Sequence, residues 1–303
     1  MNSNEGLTLG VEEEYQVIDP KTRQLAGRGG KIISFAENKY GEDVVQPEMR
    51  QSQIEIATSV CHSLAEVRAE LCESRRIVIE AAQQYDQAIA AAATHPFSHW
   101  KNQETTVKPR YQWLEQEYQQ ILREMVTFGC HVHIGIEDKE LAIAVINRAR
   151  LWLSILLALS ANSPFWLGEE TGYFSYRSEL WSPFPLVGPP PVFDNYQSYQ
   201  DFVQQLISME VIQDTSTIYW DLRISEHYPT IEFRMSDVCL TIDEAVMIAG
   251  LVRGLVQTCI TEIHNKVPLA SVHPELIKTA HWYAARYGLK EKLIDPVQQR
   301  SKP

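Results

Sequence analysis

Along "LTLGVEEEYQVID" the chain alternates. Leu7, Leu9, Val11, Tyr15 and Val17 fall on one face of an extended segment, and Thr8, Gly10, Glu12, Glu14 and Gln16 on the other. The same period of two returns three times. "QSQIEIATSV" sets Ile54, Ile56 and Thr58 against Gln53 and Glu55; "TFGCHVHIGIED" sets Phe128, Cys130, Val132, Ile134 and Ile136 against His131 and His133; "PTIEFRMSDV" sets Ile231, Phe233 and Met235 against Glu232 and Arg234. "YWDLRIS" reads as a further strand, and "AIAAAATHPF" as a small-residue strand ending at His95-Pro96. Between the strands the pattern turns helical. Ser63 and Glu66 form a capping-box pattern that opens a helix to about Tyr85, and a second helix is expected near residues 111–125. A long apolar helix follows from Lys139 to Ala161. Thr241 and Glu244 cap another, and "HPELIKTAHWYAARYG" is a last helix stopped by Gly288. Residues 162–195, rich in Pro, Gly and aromatics, read as ordered loops, since so many aromatic rings are costly to leave in water. "AGRGGKIIS" lacks P-loop spacing and reads as a turn leading into a helix.

Strands in antiparallel-looking groups, with long amphipathic helices between them, predict an α+β fold with the helices on one sheet face. The 303 residues are read as one domain, 1–303, large enough to bury a core without disulfides. A net charge of −12 argues against nucleic acid or an anionic membrane as partner, because those surfaces demand a cationic footprint. The five cysteines are odd in number and show no CxxC pair, so they are expected as reduced, mostly buried thiols of a cytoplasmic protein. The N-terminus "MNSNEGLTLG" lacks the regions of a signal peptide, and the apolar run Leu151–Ala161 is too short to cross a bilayer.

The polar faces of the four strands carry the chemistry. Glutamate is a poor strand former and like charges on one face repel, so that face is either bare to water or opposed by something positive. A solvated face mixes lysine with its acids, yet none of these segments places a lysine there. Carboxylates with an imidazole are metal ligands, and a set dominated by carboxylate favours Mg2+ or Mn2+ over zinc. That many carboxylates imply more than one ion. No HExxH helix is present. Arg234, two residues from Glu232, suits a phosphate, which guanidinium grips as a fork. Glu13 alternates onto the apolar face and is expected to pair with a cation there.

"GVEEEY", "QIEIAT", "GCHVHIGI", "SANSPFW", "GYFSYRSELW" and "PTIEFRMSDV" together resemble the carboxylate–amine ligases of the glutamate–cysteine ligase type 2 family, related in fold to glutamine synthetase. The resemblance runs from about residue 7 to about 296. It implies a curved, mainly antiparallel sheet with long helices on its convex face and ATP with divalent cations on its concave face. It also implies a reaction in which a substrate carboxylate is phosphorylated and an amine attacks the acyl phosphate. By the same resemblance Glu12, Glu14, Glu55, His131 and Glu232 are metal ligands, and Arg234 steadies the transferring phosphate. Arg177 is similar to the arginine that holds a glutamate substrate's α-carboxylate. Arg223 and Tyr219 resemble residues on the acceptor side, and His133 stands next to His131 where nucleotide or substrate is in reach. Local alternatives are an Arg177 ion pair with Glu179 or Glu169, and wall-filling roles for Tyr219 and His133. ATP, Mg2+ (or Mn2+) and amino acids are the implied ligands; a homo-oligomer is compatible with the sequence. Two rivals stand beside a weak or authentic glutamate–cysteine ligase. One is a nucleotide-binding remnant, raised because members of the family continue past "AARYGL…LIDP". The other is a metal-dependent amide hydrolase with His131, His133 and a carboxylate on one zinc.

Overall fold

The computed structural model describes residues 6–302; residues 1–5 of the N-terminal stretch read for a targeting signal, and Pro303, lie outside the described residues. The main sheet has seven strands: β1 (Leu9–Ile18), β2 (Gln46–Pro47), β3 (Gln53–Ala57), β4 (Ala88–Ala90), β5 (Gly129–Gly135), β6 (Leu222–Ile224) and β7 (Thr230–Asp237). Their order is β6-β7-β5-β1-β3-β2, with β4 also paired to β1, and every pairing is antiparallel. Register stacks like on like: Tyr15 lies opposite Ile54, and Val132 is flanked by Val11 and Phe233. These apolar positions, with Val17, Ile56, Ile134 and Ile231, are fully buried.

Helices cover that apolar face. α2 (Leu64–Gln83), α4 (Lys139–Ala149), α5 (Leu153–Ser160) and α8 (Ile242–His264) pack on the sheet or on one another, α7 (Tyr196–Ser208) packs on α4, and α3 (Pro109–Glu124) forms where the second helix is expected. Their ends follow the expected signals. Ser63 Oγ accepts from Glu66 N at the start of α2, and Thr241 with Glu244 closes a reciprocal capping box on α8. Helix α9 (Pro274–Tyr287) stops at Gly288, whose φ of 52° and close approach to the Phe174 ring leave no room for a side chain. The "GRGG" stretch opens α1 (Gly29–Tyr40), as a turn into a helix should; a Cβ on Gly29 would stand 2.7 Å from the Gln51 carbonyl, so this glycine serves close packing.

Two expected elements differ. The helix from Lys139 to Ala161 is two helices joined by a 3-10 turn over Arg150–Trp152. The turn carries a charged residue inside an apolar run, and the buried Arg150 guanidinium leaves it to donate to the Pro190 carbonyl. The small-residue strand shrinks to Ala88–Ala90, because beyond it Ala92 O accepts from the Gln16 side chain (2.7 Å) and Ala93 O from Phe128 N (2.9 Å), outside any ladder. By length and composition Lys139–Ser160 and Ile242–His264 could each cross a membrane; the first lies mostly inside the fold. The five cysteines are free thiols, four of them buried.

The loop region at 162–195 is ordered and tied to the sheet. Asp237, at the end of β7, accepts from Asn162 N (2.8 Å), Ser163 Oγ (2.7 Å) and Ser175 Oγ (2.9 Å). This carboxylate anchors the start of α6 (Tyr176–Trp181), the helix that carries Arg177.

Candidate active site

The second face of the sheet gathers the polar positions of all four patterned strands. Because side chains alternate and the strands pair antiparallel, residues of equal parity meet across the ladder. Glu12 lies opposite His131 and Glu14 opposite Glu55, while Glu232 sits between His133 on one side and Arg223 on the other. This is no solvated face: Glu232, His131 and His133 are 3%, 4% and 8% exposed. They line a cavity of about 390 Å³ together with Glu12, Glu14, Glu55, Arg223 and Arg234.

Its electrostatics divide it in two. Toward β7 the acids are matched. Glu232 pairs with Arg234 and, at 2.7 Å, with Arg223 Nε. Burial opposes its ionisation, but the two guanidinium groups hold its pKa well below the usual carboxylate range. Glu12 Oε2 is 3.1 Å from His131 Nδ1, and its Oε1 is 3.2 Å from His133 Nε2. Burial again works against the charge, and hydrogen bonds and charge from the histidines outweigh it, so Glu12 is held low. Burial and the Arg234 charge push His131 down to about 4, which leaves it a neutral ligand at pH 7. Toward β3 the acids crowd one another. Burial, then the Glu48 charge, pushes Glu14 up to about 7 against the pull of Arg177 and the Gly129 N–H. Burial, then Glu48, Glu12 and Glu14, raises Glu55 well above its ordinary value. Facing carboxylates on adjacent strands destabilise the sheet unless a cation joins them.

The donors fit such cations. Ligand atoms of Glu12, Glu55 and His131 lie within 4.8 Å of one another, as do those of Glu12, His133 and Glu232. His131 Nε2 is buried without a hydrogen-bond partner among the described residues. Oxygen-rich sets of this kind suit hard divalent ions.

The remaining expected residues fall around this face. Arg177 is buried, and its guanidinium donates to the carbonyls of Met235 and Arg234 (3.3 Å each); it forms no ion pair with Glu179 or Glu169. Gly129 admits it, since a Cβ there would stand 2.5 Å from Arg177 Nη2. Arg223 also donates to the Ile218 carbonyl (2.7 Å), so its fork is engaged beside Glu232. Tyr219 packs against Trp181 and Phe184 in the cavity wall. On the opposite face Glu13 has its expected cation: Arg75 donates to it through Nη2 (2.6 Å) and Nε (3.0 Å). Sequence reasoning missed Glu48, which lies beside a two-residue strand with no alternation to reveal it, and Gln53 as the 3.1 Å donor to Glu14.

The same fold occurs in known ligase structures. It is shared with a bifunctional glutathione synthetase from Pasteurella multocida, at 14% identity and a TM-score of 0.69, over 94% of this chain and 42% of that one. It is also shared with a glutamate–cysteine ligase from Francisella tularensis in complex with AMP, at 12% identity and a TM-score of 0.70, over 98% and 74%. A model of glutamate–cysteine ligase family 2 matches residues 8–303, and the chain belongs to that family. Among its relatives, a protein of Rhodopirellula baltica is 42% identical over 300 residues, 98% of this chain and 81% of the relative. One of Solibacter usitatus is 38% identical over 298 residues, 98% and 77%. Both carry the name glutamate–cysteine ligase 2 in provisional form.

Proposed function

We propose that the chain is an ATP-dependent carboxylate–amine ligase of the glutamate–cysteine type, its residues forming one cytoplasmic catalytic domain. The observation that carries this reading is the row of buried Glu232 and His131 with half-buried Glu12, Glu14 and Glu55 along one cavity, bounded by Arg234. Glu12, Glu55 and His131 would hold one divalent cation, and Glu12, His133 and Glu232 a second. Bound there, Mg2+ or Mn2+ would neutralise phosphate charge and set the phosphates against the sheet. A carboxylate oxygen of glutamate attacks the γ-phosphorus and ADP leaves; the amine of cysteine then displaces phosphate and gives up a proton.

The chain contributes position and charge. Arg234 faces the transferring phosphoryl group as a fixed fork, held in place by Glu232, and Arg177 holds the α-carboxylate of the substrate. The neutral state of His131 leaves it free to ligate. The hydrolase alternative needs both histidines on one zinc, whereas each cation-ready cluster among the described residues takes only one of them. The test is ADP release by the purified protein with ATP, Mg2+ and pairs of amino acids, glutamate with cysteine first. Release that requires both amino acids and yields a stoichiometric γ-linked dipeptide supports the reading. ATP binding with no ADP from any pair overturns it.

A further inference from the structure

Strict alternation along "TIEFRMSD" would put Asp237 on the apolar face with Ile231, Phe233 and Met235. The ladder departs from it. Phe233 pairs with Val132 of β5 and Ser236 with Cys130, so Arg234 and Met235 stand opposite His131 alone, which is a β-bulge. The bulge shifts the parity of β7. Asp237 therefore comes out opposite Gly129, on the face that carries His131 and Glu232. The bulge residues hold Arg177 as well, since the carbonyls that accept from its guanidinium are those of Arg234 and Met235. Asp237 is wholly buried, and two of its donors stand in series with α6. Ser163 Oγ donates to Asp237 Oδ2 (2.7 Å) and accepts from Arg177 N (3.1 Å). Ser175 Oγ donates to Oδ1 (2.9 Å) and accepts from Ser178 N (3.4 Å). Each serine is a one-way link, and its direction is set by a carboxylate, which only accepts.

We propose that Asp237 is a positioning residue for Arg177: through Ser163 it fixes the arginine's backbone, while the bulge that turns Asp237 to this face supplies the carbonyls that fix the guanidinium. This rests on the ligase reading, in which Arg177 holds the carboxylate substrate, and adds what holds Arg177. Anchored at its main chain and at its far end, the arginine keeps one orientation without an acid in contact with it. Burial pushes the Asp237 carboxyl upward, and the Arg177 charge is the largest of the effects that oppose it. Asp237→Asn keeps the shape of the side chain and turns one acceptor into a donor. The amide then faces a hydroxyl whose proton already points at it, and the link to α6 has to turn or break. Such a network is worth most when every member is satisfied. Asp237 has no accessible surface, so it acts only through Arg177 and takes no part in the chemical step.

The test joins amide exchange to kinetics. In Asp237→Asn, hydrogen exchange read by mass spectrometry should quicken by about tenfold or more at the amides of Arg177 and Ser178, the scale of one lost bond to a charged group, and stay unchanged in β1 and β3. With ATP, Mg2+, glutamate and cysteine, the KM for glutamate should rise roughly tenfold while kcat and the KM for ATP stay near wild type. A general loss of structure would not give that split. Ser163→Ala should reproduce it, and the double variant should be no worse than the more affected single, because both residues act in one chain. If Asp237→Asn does not fold, as judged by its melting curve, Ser163→Ala carries both measurements. Unchanged exchange at Arg177, KM values for glutamate and ATP that rise together, or additive effects in the double variant overturn the proposal. The two readings fail separately. No ADP from the wild-type protein refutes the ligase, and amide exchange then decides the relay alone. ADP release with a wild-type KM for glutamate in Asp237→Asn refutes the positioning and leaves the ligase.

Discussion

Arg75→Met should cost the fold about 3–5 kcal/mol, the penalty for stripping one partner from a buried ion pair. Glu13 is wholly buried beneath β1, and both of its oxygens accept from Arg75, Nη2 at 2.6 Å and Nε at 3.0 Å. Methionine replaces the apolar stem of arginine and none of its donors. Among the described residues Glu13 then keeps only the hydroxyl of Tyr15 as a side-chain donor. Two charge-assisted bonds at roughly 1.5–3 kcal/mol each reach the same range by a separate route. Arg75 also donates to the carbonyls of Leu240 (2.9 Å) and Cys239 (3.0 Å), but Leu240 is largely exposed, so water can take over there at small cost. Urea unfolding followed by tryptophan fluorescence measures the loss. Adding Glu13→Gln to Arg75→Met removes the stranded charge and should recover about 2 kcal/mol, a coupling that neighbouring sites show and distant ones do not. Mg2+ affinity of the folded variants, by calorimetry, should stay near wild type, because Glu12 and Glu14 point to the other face. A single variant that loses under about 1 kcal/mol, or a double variant no more stable than the single, would refute the argument.

Glu55→Gln should abolish Mg2+-dependent ADP release yet stabilise the cation-free protein by about 1–2 kcal/mol, since it removes one of several crowded carboxylates; melting in EDTA and steady-state kinetics check both, and an unchanged Mg2+ dependence excludes Glu55 as a ligand. Arg234→Lys keeps the charge and loses the fork, so kcat should fall roughly 10²- to 10³-fold while the KM for ATP moves little; near-normal kcat would show that charge alone matters. Gly129→Ala would set a methyl 2.5 Å from Arg177 Nη2 and 3.2 Å from His131 Nε2. It should raise the KM for the carboxylate substrate about tenfold and leave that for ATP unchanged, and a wild-type KM would mean that Arg177 does not hold the substrate.

The faces of the strands were legible in the sequence. Alternation is a property of the local backbone, so "GVEEEY" alone assigns Glu12 and Glu14 to one side and Glu13 to the other, and a cationic partner for Glu13 follows from the cost of an unpaired buried charge. Helix ends at Ser63, Thr241 and Gly288 were legible for the same reason, since a cap concerns only the few residues beside it. Register was not. Whether Glu14 meets Glu55 or slides past it depends on pairing between segments about forty residues apart, and local pattern carries no such information. Glu48 escaped notice because it lies in the loop just after a two-residue strand, where no period sets it apart. The sequence determined which groups face away from the core; only the tertiary structure decided which of them stand within reach of one cation or one substrate, because that distance is set by chain segments that meet only when the core closes.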